Sequence, residues 1–177
     1  MKNNTWTTRR MVLLGLFIAV NMTATYIHIP VGPSMMHLGT TTLFITALIL
    51  NPIDSAIAAG GGMFLFDIFG GYFSYAPFTL VIKGLMAYVV AKIVQQKSYN
   101  GTNIKINFLG YIIGGIISLV GYYLTNVYFS GNFIAPIAKI PGSLLTTSVG
   151  LLIALPLGIQ VKKAFIKVEK QAYNVNE

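Results

Sequence analysis

Six apolar stretches, at about residues 11–29, 36–50, 57–69, 77–94, 108–128 and 141–165, fill most of this 177-residue chain, each set off from the next by a proline, glycine or polar break. About 20 apolar residues cross the hydrocarbon of a bilayer, so six crossings with short connections use up the length. Charge is correspondingly scarce. The chain is 55% hydrophobic and 9% charged, with a mean hydropathy of +0.71, against roughly 25% charged residues in a soluble domain. A small soluble core cannot hide so much apolar surface. These features predict an all-α integral membrane protein, a single six-helix domain over residues 1–177 with no room for a soluble catalytic domain.

The 12 Lys and Arg against 4 Asp and Glu give a net charge of +8. In a soluble protein such an excess would suggest nucleic acid. Here Lys2, Arg9 and Arg10 precede the first stretch, Lys92, Lys97 and Lys105 surround the middle connection, and Lys162, Lys163, Lys167 and Lys170 follow the last. Ten of the twelve cations therefore sit at alternate connections. That is the positive-inside bias, and it predicts a multi-pass protein with both termini and the middle loop in the cytoplasm. An anionic leaflet accounts for the same residues, so no nucleic-acid partner is expected. The first stretch lacks a small-x-small cleavage site and is followed by further spans, unlike a cleavable signal peptide.

Several chemistries are excluded by what the chain lacks. It has no cysteine and no Gly-x-x-x-x-Gly-Lys-Ser/Thr motif, and Gly60-Gly61-Gly62 does not fit a dinucleotide fingerprint. Close helix packing is the simpler role for that glycine run. His28 and His37 stand nine residues apart across a Pro/Gly break, without metal-ligand spacing. Of the acids, Asp54 lies in a turn where it can cap the third helix, Glu169 and Glu177 lie in the tail, and Asp67 alone is in a span. An enzyme is not expected, nor a metal site or a cofactor bound by this chain.

What remains is an uneven distribution of polar groups across the membrane. Following the alternating directions of the six stretches, Asp67, Lys83, Tyr122, Asn126, Ser143, Thr146 and Thr147 fall at similar outer depths, joined by His37 and Thr40 to Thr42. The inner halves, such as residues 43–50 and 151–157, read as almost purely apolar. An outward-opening pocket fits this pattern better than a channel, whose lining is polar throughout. A cation within a span costs roughly 2.5–3.5 kcal/mol on insertion scales unless it is paired or wet. Lys83 is therefore either a structural partner of Asp67, a snorkelling side chain or a ligand contact. Tyr122 and Asn126, four apart, share a helix face and would present a ring and an amide to one small polar aromatic solute. Tyr72, Phe73 and Tyr75 suit an interfacial aromatic belt. Gly15, Ala19 and Thr23 make a small-residue stripe along the first helix, suited either to internal packing or to docking on another membrane subunit.

The chain resembles the S components of energy-coupling factor (ECF) transporters, in the branch assigned hydroxymethylpyrimidine or pyridoxine-type substrates. The resemblance is carried by residues 11–19 (Met-Val-Leu-Leu-Gly-Leu-Phe-Ile-Ala), by residues 71–84 (Gly-Tyr-Phe-Ser-Tyr-Ala-Pro-Phe-Thr-Leu-Val-Ile-Lys-Gly), and by residues 140–146 (Ile-Pro-Gly-Ser-Leu-Leu-Thr) running on to Ala154-Leu155-Pro156. It implies a plasma-membrane protein that captures a small water-soluble vitamin from outside and docks on a transmembrane T component. On that scheme ATP is used by two partner ATPase subunits. Gly15, Ala19 and Thr23 would serve docking, residues 28–38 would gate the pocket, and Lys83, Tyr122, Asn126 and Ser143, with His37, Asp67 and Thr146 beside them, would hold the ligand. A stand-alone secondary carrier is the alternative, and would need polar groups reaching both sides of the membrane.

Overall fold

The computed structural model describes residues 6–96 and 99–174. Lys2, Lys97 and Glu177, and the side chains of Glu169 and Lys170, lie outside that description. Six helices follow the six apolar stretches: α1 Thr8–Tyr26, α2 Gly39–Ile49, α3 Pro52–Phe69, α4 Ala76–Val94, α5 Ile104–Ser130 and α6 Ile140–Asn174. Four segments are long and apolar enough to cross a membrane, namely α3, α4, α5 and Ala135–Val168, which covers most of α6. At 11 residues α2 is too short for this, and α1 carries Arg9, Arg10, Asn21 and three threonines among its 19 residues.

The helix ends differ from the expected spans for local reasons. The first stretch stops at Tyr26 and the second starts at Gly39, because residues expected in helices at 27–29 and 36–37 belong instead to a connection with a two-stranded antiparallel hairpin, β1 His28–Val31 and β2 Ser34–His37. Its turn is Gly32-Pro33, with Gly32 at φ +57°, where glycine avoids the Cβ penalty. Val31 pairs with Ser34 and Pro30 with Met35. Hydrogen-bonded and non-bonded pairs alternate along such a ladder, so Pro30, which has no N–H, falls on a pair that needs none. The third helix begins at Pro52 rather than Ile57. Asn51, not Asp54, caps it: the Asn51 side chain accepts from the Asp54 backbone N–H at 3.0 Å, and Pro52 occupies the first turn. Asp54 is used differently. It takes a forked contact from Arg10, with Nη2 2.7 Å from Oδ1 and Nε 2.9 Å from Oδ2, while Asn51 Nδ2 donates to Oδ2 at 2.7 Å. This ties the start of α1 to the start of α3. Asn103 caps α5 through bonds from the N–H groups of Lys105 and Ile106, and Gly131 ends it at φ +60°.

Helix α3 packs closely on both sides, and its glycines explain how. A Cβ at Gly60 would lie 2.9 Å from the Leu80 carbonyl oxygen on α4, and one at Gly62 would lie 2.5 Å from the Ile18 carbonyl oxygen on α1. The glycine run is thus a two-sided contact surface. Gly62→Ala is expected to push α1 and α3 apart and destabilise the protein by about 1–3 kcal/mol, the usual range for overpacking. A thermal melt of the purified variant in detergent checks this, and an unchanged midpoint would show that the helices shift freely.

The core is built around α2, with Leu43, Phe44, Ala47 and Leu48 packed against Met63, Met86, Val90 and Tyr111. Phe44 stacks on Tyr111 with ring centroids 4.2 Å apart. The half expected to be apolar does contain polar groups. Asn21 Nδ2 donates to Thr46 Oγ1 at 2.9 Å, and Ser55 Oγ donates to the Leu50 carbonyl at 2.8 Å. Asn107 Oδ1 and Tyr111 Oη are buried there without a hydrogen-bond partner among the described residues.

Candidate functional site

A cavity of about 490 Å³ lies at the hairpin end of the bundle, between the hairpin, α3, α4, α5 and α6. Lys83, Tyr122, Asn126, Ser143, His37, Asp67 and Thr146 all line it. Residues up to 109 positions apart in the chain, His37 and Thr146, thus share one space. Gly15, Ala19 and Thr23 are elsewhere, on the exposed face of α1. A Cβ at Gly15 would meet nothing within 4 Å, so this part of the stripe is not used for packing inside the chain.

Lys83 comes from the second turn of α4 and is 3% exposed. Its Nζ donates to Ser118 Oγ at 3.1 Å and Thr40 Oγ1 at 3.3 Å, and lies 5.3 Å from the centre of the Tyr122 ring. No Lys83–Asp67 contact within 4.0 Å is formed, so the structural ion pair considered from the sequence is absent. The ammonium is held instead by two hydroxyls and a ring face, a weaker and more adaptable setting.

Asp67 stands near the end of α3, and Thr79 of α4 and Tyr122 of α5 line the same cavity. The Tyr122 hydroxyl donates to Thr79 Oγ1 at 3.1 Å. Asp67 Oδ2 is buried without a partner among the described residues. His37 Nδ1, at the end of β2, is the other unpartnered buried atom among the residues that line the cavity. Burial of the imidazole lowers the His37 pKa to about 3, with the positive charge of Lys83 acting in the same direction. His37 is therefore neutral at physiological pH. Its cross-strand neighbour is His28, which also lines the cavity, so the hairpin pairs two histidines that their sequence spacing kept apart. Among the described residues no group of three or more His, Cys, Asp or Glu is placed to hold a metal ion.

Asn126 is bonded at both ends of its amide. Its Nδ2 donates to the Tyr122 carbonyl at 2.7 Å, while its Oδ1 accepts from Lys139 Nζ at 2.7 Å and Tyr75 Oη at 2.8 Å. Lys139 Nζ also reaches Tyr75 Oη at 3.1 Å. These bonds join α5, the α3–α4 connection and the 3-10 turn Ala135–Lys139 across the mouth. Tyr75, assigned to an aromatic belt, thus faces the cavity as well. Thr146 Oγ1 lies 3.1 Å from the Met35 carbonyl oxygen and pins the hairpin to α6, where a Cβ at Gly142 would lie 2.6 Å from Ser34 Cβ. Ser143 lines the cavity half-buried.

Sequence reasoning missed Lys139, Thr79 and Ser118. Signals for each were present. Lys139 and Lys83 are the two cations outside the positive-inside clusters, Thr79 is four residues before Lys83, and Ser118 stands four before Tyr122 and eight before Asn126, so each pair or triplet shares a face.

A family profile described as "ECF-type riboflavin transporter, S component" matches residues 5–163. The chain is also 31% identical over 147 residues to a Pyrococcus woesei protein described as "Uncharacterized protein in gap 3'region", an alignment covering 82% of this chain and 95% of the relative. The matched family consists of membrane transport components and not of enzymes. With nearly the whole bundle inside the match, the chain belongs to the S-component family of ECF-type riboflavin transporters.

Proposed function

We propose that this chain is the plasma-membrane component that captures a single-ring heteroaromatic vitamin, of hydroxymethylpyrimidine or pyridoxine type, from outside the cell. The hairpin end faces outward and both termini face the cytoplasm. Delivery follows on docking to a T component and two ATPase subunits, which use the ATP, and this chain needs no cofactor of its own. The observation that carries the reading is the gathering of Lys83, Asp67, His37, Tyr122 and Asn126 around one cavity at one end of the bundle. A ring and an ammonium lie beside a carboxylate and an imidazole there, as suits a flat solute with hydrogen-bonding edges. The packed apolar core of α2, α4 and α5 lies between the cavity and the other side, which supports capture over self-sufficient transport.

Riboflavin itself is the second reading. The family description favours it, and so does the cavity, whose 490 Å³ falls within the roughly 300–1,000 Å³ of sites for drug-sized ligands. Calorimetric titration of the purified protein with hydroxymethylpyrimidine, pyridoxine and riboflavin decides between them. The tightest binding is expected for a single-ring compound. Tightest binding of riboflavin would replace the substrate assignment, and uptake by this chain alone in proteoliposomes under an ion gradient would replace the capture role by a secondary carrier.

A further inference from the structure

The polar atoms around the cavity divide into those already satisfied and those left open. Asn126 is bonded at both ends of its amide, and Thr146 reaches the Met35 carbonyl. Lys83 has two hydroxyl acceptors for three N–H donors. Asp67 Oδ2 and His37 Nδ1 are buried with no partner among the described residues, a condition that is costly unless something else fills it.

At Asp67 the direction of the missing bond is also fixed. An ionised carboxylate only accepts hydrogen bonds. Among the described residues no hydrogen bond reaches Asp67 Oδ2, and the Tyr122 hydroxyl is spent on Thr79 Oγ1, 3.1 Å away. Oδ2 remains an acceptor with no donor, in a wall that carries the unspent donor of Lys83 as well.

We infer that Asp67 is the specificity-determining residue of the cavity, and that it selects a ring edge carrying an N–H donor, such as the exocyclic amine of an aminopyrimidine, with an acceptor on the same ring for Lys83. A ring presenting a carbonyl or a bare C–H toward Oδ2 would leave the buried carboxylate oxygen unpaired, and a site built to bond an N–H rejects an analogue that lacks it. The inference rests on the single-ring substrate reading and adds which atom of this chain reads the ligand.

The test uses the purified full chain and two probes, 4-amino-5-hydroxymethyl-2-methylpyrimidine and the same compound with hydrogen in place of the 4-amino group. Wild-type protein is expected to prefer the amino compound by at least about tenfold, and Asp67→Asn, nearly isosteric, is expected to narrow the preference to about threefold or less. Equal affinity of the wild-type chain for both probes overturns the inference by itself and needs no variant. A preference that survives intact in Asp67→Asn overturns it too. Failure to bind either pyrimidine overturns it as well, while binding of pyridoxine in the same experiment would leave the single-ring reading standing.

Discussion

Replacing Lys83 with alanine is expected to weaken vitamin binding by about 100-fold, the scale of a lost charge-assisted hydrogen bond in a buried site, while leaving the fold at least as stable as before. The two effects separate because of how the ammonium is held. It is 3% exposed, bonded to the hydroxyls of Thr40 and Ser118, with no carboxylate of the described residues within 4.0 Å. Removing one partner of a buried ion pair strands the other charge and is strongly destabilising. Here the groups left behind are two hydroxyls, which can turn to other acceptors or to water. The variant also no longer bears the cost of a cation inside the bundle. Calorimetric titration and a thermal melt on the same preparation measure both quantities. Unchanged affinity would return Lys83 to a structural role, and a large drop in melting temperature would mean that the lysine is part of the scaffold.

The complementary result is expected at the proposed docking face of α1. Gly15→Leu combined with Ala19→Leu should reduce cellular uptake to background while changing vitamin affinity by no more than about twofold. Small residues let helix backbones approach closely, and leucines at both places fill the groove that a partner helix would enter. The stripe is exposed, and a Cβ at Gly15 meets nothing within 4 Å, so the added side chains face lipid in the isolated protein and leave the core alone. The change at Gly62 described above provides the contrast, because there a single methyl already collides with α1. Full uptake by the double variant, with the partner subunits present, would exclude docking through this face.

The fold was legible where hydropathy and punctuation agree. Six apolar stretches became six helices, and the middle connection through Asn100-Gly101 separates α4 from α5. The hairpin was not legible as strands, because Pro30, Gly32 and Pro33 announce only that a helix ends, and four-residue strands such as Ser34–His37 have no periodicity to read. The placement of the candidate site residues at one end could be read from alternating helix direction, which needs no tertiary knowledge. The partners of those residues could not. Whether Lys83 meets Asp67 or Thr40 depends on how α4 is rotated against α2 and α3. That rotation is set by close approaches such as Gly60 against Leu80, which a one-dimensional reading sees only as a glycine run. Lys139 was overlooked for a different reason. It follows Pro136 in a connection, where a cation reads as solvated, and only the return of the 3-10 turn over the mouth brings it to Asn126.

The shortness of α2 has a consequence for how the protein responds to its membrane. Eleven residues of helix extend about 16 Å, roughly half the hydrocarbon thickness, and a helix so short in contact with lipid would thin the bilayer around it. Nine of its eleven residues are buried against other parts of the chain, so acyl chains scarcely touch it. Hydrophobic mismatch therefore acts on the surrounding helices, which can tilt, and not on the element that carries Thr40. In bilayers of different thickness the outer helices should change their inclination while the Thr40–Lys83 contact, and with it the placement of Lys83 in the cavity wall, keeps its geometry.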